Sequence, residues 1–229
     1  FPQKASNLVK KKKCDIGICL DGDGDRVIFI DEKGEVLSGE ELIYILAKYY
    51  LSENKIKKGS FIVTNEIANH GLDISLKKLG LKLKRVKVGD KNILKEIIGN
   101  KYFFGGEPSG HFIFKDDILI GDGMTTAIRL LTLILKEDKK LSLLKKGIYL
   151  LEVININQRI DQEKFYLSQE SIYQKLNKLF KNLDIYYNIR PSGTESLLRV
   201  NLQYDKRNIK VSTLNKLKKQ IIKVISDAC

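Results

Sequence analysis

The sequence is poor in the residues that staple, kink or anchor a chain. It holds three cysteines, three prolines and two histidines in 229 residues. Cys14, Cys19 and Cys229 have no metal-ligand spacing and no evident disulfide partners, which fits a reducing, cytoplasmic setting. Their expected role is that of small buried hydrophobes or a loose terminus. The longest apolar runs, such as Ile128 to Leu135, are broken by polar residues and fall well short of a membrane span, so no membrane partner is expected. No signal-peptide pattern opens the chain. It begins Phe1-Pro2-Gln3 without a methionine, which predicts a fragment or a processed product. Internal repeats and low-complexity linkers are lacking too.

What is present describes a globular protein: 43% hydrophobic and 30% charged residues, enough for one large domain or two of ordinary size. The net charge of +13 could mark a nucleic-acid binder, because clustered Lys and Arg neutralise phosphates. The excess, however, is lysine spread along the chain. Only Lys10 to Lys13 form a run, without aromatic interleaving. A solvated lysine face is the favoured reading and nucleic acid the disfavoured one. A positive field would still draw an anionic substrate toward a cleft.

Strand-like runs at Asp15–Leu20, Val27–Ile30, Phe61–Thr64 and Lys82–Val88 alternate with helical periodicity at Glu40–Tyr50, Leu72–Leu79 and Gly123–Leu135. Gly80 is placed to stop a helix and Asp90 to cap the next one. Tyr102-Phe103-Phe104 and Phe112-Ile113-Phe114 bracket a Gly-rich turn. This alternation predicts an α/β domain with a mixed or parallel sheet. After about Gly147 the pattern changes to strands at Tyr149–Ile156, Asp184–Ile189 and Leu197–Leu202 with helices at Ser168–Leu179 and Val211–Ile225, a smaller α+β unit.

Three motifs carry chemistry. In Asp21-Gly22-Asp23-Gly24-Asp25-Arg26 three carboxylates alternate with glycines that let the backbone turn sharply, so the carboxylates can converge. Two unit charges about 4 Å apart repel by roughly 4 kcal/mol at an effective dielectric near 20, so a cation is called for. Hard oxygen ligands select a hard cation, with Mg2+ the default. A calcium EF-hand is the rival, since Glu32 falls at its twelfth position. That loop needs glycine where Arg26 stands, and helices where both flanks look like strands. An acidic surface turn is the plainer alternative. Gly105-Gly106-Glu107-Pro108-Ser109-Gly110-His111 could be a simple hairpin, but it packs a carboxylate, a hydroxyl and a histidine into five residues suited to vicinal sugar hydroxyls. His70 has no such company. Arg190-Pro191-Ser192-Gly193-Thr194-Glu195, with Arg199, offers guanidinium, hydroxyls and turn amides as a phosphate cradle.

In this order and spacing the three motifs resemble the phosphohexomutase superfamily, over essentially the whole chain. Lys87-Val88-Gly89-Asp90-Lys91 and the Gly-Gly-Glu-Pro-Ser-Gly-His loop look most like its phosphoglucosamine mutase branch. The resemblance implies a partial domain over residues 1–37 ending with the metal loop, a mixed-sheet sugar-binding α/β domain over 38–147 and a phosphate-binding α+β domain over 148–229. It implies Mg2+ on Asp21, Asp23 and Asp25, completed by a phosphoserine. Glu107 and Ser109 would orient a phosphohexose (glucosamine phosphate) substrate, and Arg190, Ser192, Gly193 and Thr194 would grip the phosphate not being transferred. Arg26, Lys87 and His111 are the catalytic candidates. The implied reaction interconverts glucosamine 6-phosphate and glucosamine 1-phosphate through a bisphosphate. The family's nucleophile lies in a Ser-His loop, and no Ser-His pair occurs in this chain, so missing N-terminal domains are the implied partner and the chain alone is expected to be inactive. The phosphate loop reads Arg-Pro-Ser-Gly-Thr-Glu-Ser where Arg-Lys-Ser-Gly-Thr-Glu-Pro is more typical of that branch, which leaves a phosphomannomutase/phosphoglucomutase open. A non-catalytic phosphosugar- or nucleic-acid-binding module is the alternative of another class.

Overall fold

The computed structural model describes residues 2–117, 119–192 and 195–228. The chain divides into two compact units, Phe1–Leu150 and Leu151–Cys229. No helix among the described residues is long and apolar enough to cross a membrane.

The first unit opens with helix α1 (Pro2–Lys12) and an antiparallel hairpin of β1 (Ile16–Leu20) and β2 (Val27–Asp31). Then follow α2 (Gly39–Ser52), β3 (Phe61–Asn65), α3 (Gly71–Lys78), β4 (Lys82–Val86), α4 (Asp90–Asn100), β5 (Phe104–Gly106), β6 (Phe112–Phe114), α5 (Gly123–Glu137) and the short α6 (Leu141–Leu144). The sheet order is β4-β3-β5-β6, with β3 parallel to β4 and β5, and β6 antiparallel to β5. It is therefore a mixed sheet. Its three parallel strands end along one edge, at Asn65, Val86 and Gly106, and ligands characteristically bind beyond such carboxyl ends.

Local chemistry explains most boundaries. Ser38-Gly39-Glu40-Glu41 is a capping box: Ser38 Oγ accepts from the Glu41 amide at 3.2 Å, and the Ser38 amide donates to Glu41 Oε2 at 2.8 Å. Leu42 to Ala47 of α2 are consecutively buried, as expected of a helix covered on every side. Gly80, at φ +76°, ends the turn after α3 as its sequence position suggests. Gly105 and Gly106 belong to β5 rather than to the turn, which is left to Glu107–Gly110. A Cβ on Gly105 would lie 2.7 Å from Ile93 Cγ2 and 2.9 Å from Val63 Cβ, so the glycine lets α4 close on the sheet. Asp90 does not cap α4; the cap position is Gly89, at φ 124°.

The hairpin is covered on both faces. Val27 and Phe29 join the large core built by α2, α5 and the mixed sheet, while Cys19 and Ile30 pack against Val9 of α1. Lys10 to Lys13, read as an isolated basic run, end and follow that helix. Asp31, fully buried at the end of β2, is paired with Lys145 at 3.3 Å, and the same ammonium reaches Glu35 at 2.9 Å and Glu41 at 3.6 Å.

The second unit is β7 (Glu152–Arg159), α7 (Gln162–Phe180), β8 (Ile185–Pro191), β9 (Leu197–Tyr204) and α8 (Val211–Ser226). Its antiparallel sheet runs β7-β9-β8. Leu198, Val200 and Leu202, at the strand period of two, face Phe165, Ile172, Leu176, Ile221 and Ile225 of the helices. The architecture is thus α/β followed by a smaller α+β unit.

Removing the Phe29 ring tests whether hairpin and mixed sheet share one core. Phe29→Ala is expected to destabilise the chain by about 3–5 kcal/mol in urea unfolding, whereas a loss under about 1 kcal/mol would contradict a shared core.

Candidate active site

The aspartate loop joins β1 to β2. It is closed by the Asp21 amide donating to the Arg26 carbonyl at 3.4 Å and the Arg26 amide donating to Asp21 Oδ1 at 3.2 Å. Gly24 takes a left-handed φ of +74°, the conformation that favours glycine. Asp21, Asp23 and Asp25 each offer an oxygen, and these atoms lie within 4.8 Å of one another. Both flanks are strands, and Glu32 turns away to Ser142 on α6, so the EF-hand geometry is absent.

Electrostatics separates the three carboxylates. Burial pushes the Asp25 carboxyl up; the nearby His111 opposes this, and the charges of Asp23 and Asp21 add to it. Burial acts upward on Asp21 too, but the Arg26 amide that donates to it and the nearby Arg26 guanidinium act downward, and that carboxyl lies below its ordinary value. Arg26 Nε stands 3.7 Å from both Asp21 and Asp25. Asp25 Oδ1 is buried without a hydrogen-bond partner among the described residues. Three converging carboxylates, one with an orphaned buried oxygen, are a donor set that fits a hard divalent cation.

Two other segments hold this loop. The Val27 amide donates to the Gly110 carbonyl at 3.1 Å, and Arg26 bridges to His111. Gly110 sits at φ +94°, where a Cβ would come 2.3 Å from the Val27 carbonyl oxygen. From the other side the Gly123 amide, first in α5, donates to the Gly24 carbonyl at 2.9 Å. This sets the positive end of the α5 dipole against the acidic loop. Asp122 caps the same helix by accepting from the Met124 and Thr125 amides. His111 is 5% exposed, with Nδ1 3.2 Å from Asp25 Oδ2 and Nε2 unpartnered among the described residues. Its ring lies so close to Gly121 that a Cβ there would meet it at 2.0 Å.

Glu107 lies just beyond the carboxyl end of β5 and is 9% exposed. Its Oε1 accepts from Asn65 Nδ2 at 2.9 Å and from the Gly89 amide at 3.2 Å; its Oε2 accepts from Ser109 Oγ at 3.3 Å. Asn65 Oδ1 has no partner among the described residues, an omission that costs about 1–3 kcal/mol in a buried setting. Ser109 is exposed and, with Leu20, Asp21, Gly22, Arg26 and Ile28, lines a cleft of about 630 Å³. Residues of the aspartate loop and of the Glu-Pro-Ser turn therefore share one cavity. Lys87 is exposed on the turn after β4, two residues before the amide that binds Glu107, and makes no ion pair among the described residues.

In the second unit Arg190 on β8 stands directly opposite Arg199 on β9. Like charges in a cross-strand pair are destabilising. Arg199 is neutralised by Glu195 at 2.8 Å and donates to Ser192 Oγ at 3.1 Å. Arg190 has no carboxylate partner among the described residues, as suits a group kept for an external anion. Ser192 is buried, its amide donating to the Leu197 carbonyl at 2.8 Å. Gly193 and Thr194 lie outside the described residues, as does Cys229.

A family profile described as phosphoglucomutase/phosphomannomutase, alpha/beta/alpha domain III, matches residues 38–150. The chain is 40% identical over 203 residues to a phosphoglucosamine mutase of Caldanaerobacter subterraneus, covering 87% of this chain and 45% of the relative. It is 36% identical over 230 residues to one of Clostridium botulinum, covering 99% and 50%. The chain belongs to the phosphohexomutase superfamily. It spans about half the length of the curated relatives it matches. A phosphoglucomutase/phosphomannomutase family protein of Burkholderia thailandensis shares the fold at a TM-score of 0.76 and 19% identity, covering 100% of this chain and 50% of its own. So does an Aspergillus fumigatus N-acetylphosphoglucosamine mutase solved with GlcNAc-6P and magnesium, at 0.74 and 16%, covering 96% and 56%.

The motifs named from sequence supply the groups that make up the site; several of the groups that hold them appear only in the structure. Asn65 and Gly121 were not singled out, and Gly89, in the Lys87–Lys91 motif, and Gly123, at a helix start, were given no part in the site. An asparagine closing an apolar parallel strand was the one available signal, because that end of a strand faces the ligand side. Gly110→Ala is expected to cost more than about 1 kcal/mol in urea unfolding through φ and overlap, while Gly22→Ala, with nothing within 4 Å of its Cβ, stays within about 0.5 kcal/mol. Equal effects would mean that the Gly110–Val27 contact is not tight.

Proposed function

We propose that this chain supplies the metal-, sugar- and phosphate-binding parts of a phosphoglucosamine mutase, in which phosphoryl transfer through a phosphoserine and a bisphosphate interconverts glucosamine 6-phosphate and glucosamine 1-phosphate. The observation that carries the reading is the single cleft lined by Asp21, Arg26 and Ser109, with Glu107 bound behind Ser109. Residues 1–37 are taken as the end of a second domain, 38–147 as the third and 148–229 as the fourth. The phosphoserine belongs to a part of the enzyme other than these residues.

The roles follow from the chemistry. Asp21, Asp23 and Asp25 would hold Mg2+, which when bound neutralises charge on the phosphoryl group in transfer. Arg26 adds a guanidinium beside that loop, where it can pair with phosphoryl oxygens. Glu107 and Ser109 orient sugar hydroxyls, one accepting and the other also donating. Lys87 reaches the substrate from the turn after β4. His111, with Nδ1 3.2 Å from Asp25 Oδ2, joins Arg26 and Lys87 as a catalytic candidate. Arg190, Ser192, Gly193 and Thr194 grip the second phosphate, and the basic chain draws the anionic sugar in.

Incubated alone with saturating glucosamine 6-phosphate, the chain is expected to form no glucosamine 1-phosphate; sustained turnover would overturn the assignment of the nucleophile to another part of the enzyme. With the phosphoserine lacking, Mg2+ binds weakly, and saturation in a micromolar titration would contradict that. Arg190→Ala is expected to weaken hexose-phosphate binding by about tenfold, the loss of roughly 1.4 kcal/mol, at unchanged melting temperature. Tight, salt-sensitive binding of random duplex DNA with no response to hexose phosphates would instead favour a nucleic-acid module.

A further inference from the structure

Glu107 is held from outside its own loop by Asn65 and by the Gly89 amide, and its two oxygens are bound asymmetrically. Oε1 receives two donors from protein, the buried Asn65 amide at 2.9 Å and the Gly89 amide at 3.2 Å. Oε2 receives only Ser109 Oγ, at 3.3 Å, from the exposed tip of the turn. A carboxylate oxygen has room for about two donors, so Oε1 is full and Oε2 is the oxygen left for a ligand. Asn65 is the last residue of β3 and 2% exposed. Beside it Thr64 Oγ1 donates to the Gly106 carbonyl at 2.8 Å, so the ends of β3 and β5 are stitched at consecutive positions. Turning the Asn65 amide over would set its oxygen against Oε1, so Glu107 fixes the amide as firmly as the amide fixes Glu107. Asn65 Oδ1 is left without a partner among the described residues, which a residue present only for packing would not require.

We propose that Asn65 is a positioning residue for the sugar site: with the Gly89 amide it locks Glu107 so that Oε2, beside Ser109, meets the hydroxyl donors of the hexose. The proposal rests on the reading of Glu107 as a sugar-binding group. It goes beyond it by naming what sets the carboxylate's orientation and what ties it to the turn that carries Lys87.

The test is Asn65→Asp in the 229-residue chain, which keeps the shape but replaces the donor with a carboxylate. Two carboxylates about 3 Å apart repel when both are ionised and share a proton at lower pH. At about pH 8 the Gly89 amide resonance is expected to shift as its acceptor turns away, and glucosamine 6-phosphate binding to fall about tenfold or more. Toward about pH 5 the substituted carboxyl takes up a proton, donates to Oε1 as the amide did, and brings the resonance back. A Gly89 resonance that stays put in the variant overturns the proposal. So does a shifted resonance with undiminished sugar-phosphate binding. Should the unsubstituted chain bind no glucosamine 6-phosphate, the functional reading fails, while the Gly89 resonance of the free chain still decides whether Asn65 holds Glu107. If Asn65→Asp does not fold, Asn65→Ala removes the donor without adding charge. It is expected to shift the Gly89 resonance and weaken binding with no such return at low pH, and an unmoved resonance there overturns the proposal equally.

Discussion

Two backbone hydrogen bonds join segments far apart in sequence and set the site of the first unit. The Val27 amide donates to the Gly110 carbonyl, and the Gly123 amide to the Gly24 carbonyl. Each works because the glycine beside it brings no Cβ to a place already filled by backbone oxygen. Through them the acidic loop, the sugar loop and the start of α5 form one block. Three mutually repelling carboxylates on a free hairpin would spread; clamped from both sides, they stay converged. The energy opposing that repulsion comes from the core beneath, where Val27 and Phe29 pack with α2 and α5.

Above that seam the site separates what is fixed from what is offered. Glu107 and His111 are buried and tied, while Ser109, Lys87, Asp21 and Arg26 are exposed at the ends of short turns. Reaching groups mounted on immobilised neighbours lose little freedom when they take hold of a ligand, which is how preorganised sites gain affinity. The second unit repeats the logic, with Arg199 spoken for by Glu195 and Ser192, and Arg190 left without a carboxylate among the described residues.

Much of this was legible in the sequence because its signals are local. The strand runs before and after the aspartate loop, the apolar periodicity of Glu40–Tyr50, and the stop at Gly80 all act within a few residues. The aspartate, Glu-Pro-Ser and Arg-Pro-Ser loops declare themselves by composition. The hidden part depends on contacts between distant segments. Helix α1 has weak patterning and forms against Val9's partners Cys19 and Ile30. Asp90 looks like a cap, yet Gly89 takes the position, and its amide serves Glu107, eighteen residues on. Gly105 and Gly106 suggest a turn but lie in a strand because α4 and the Phe112 ring leave no space for a Cβ.

The central claim, that metal loop and sugar loop are one rigid body, is tested most directly by native-state hydrogen exchange at the Val27 and Gly123 amides. If the seam holds, both exchange only with opening free energies close to that of global unfolding, like the core amides of β3. Exchange at the rate of the exposed loop tips would show that the two loops move independently, and the account of the site as a single preorganised block would fail.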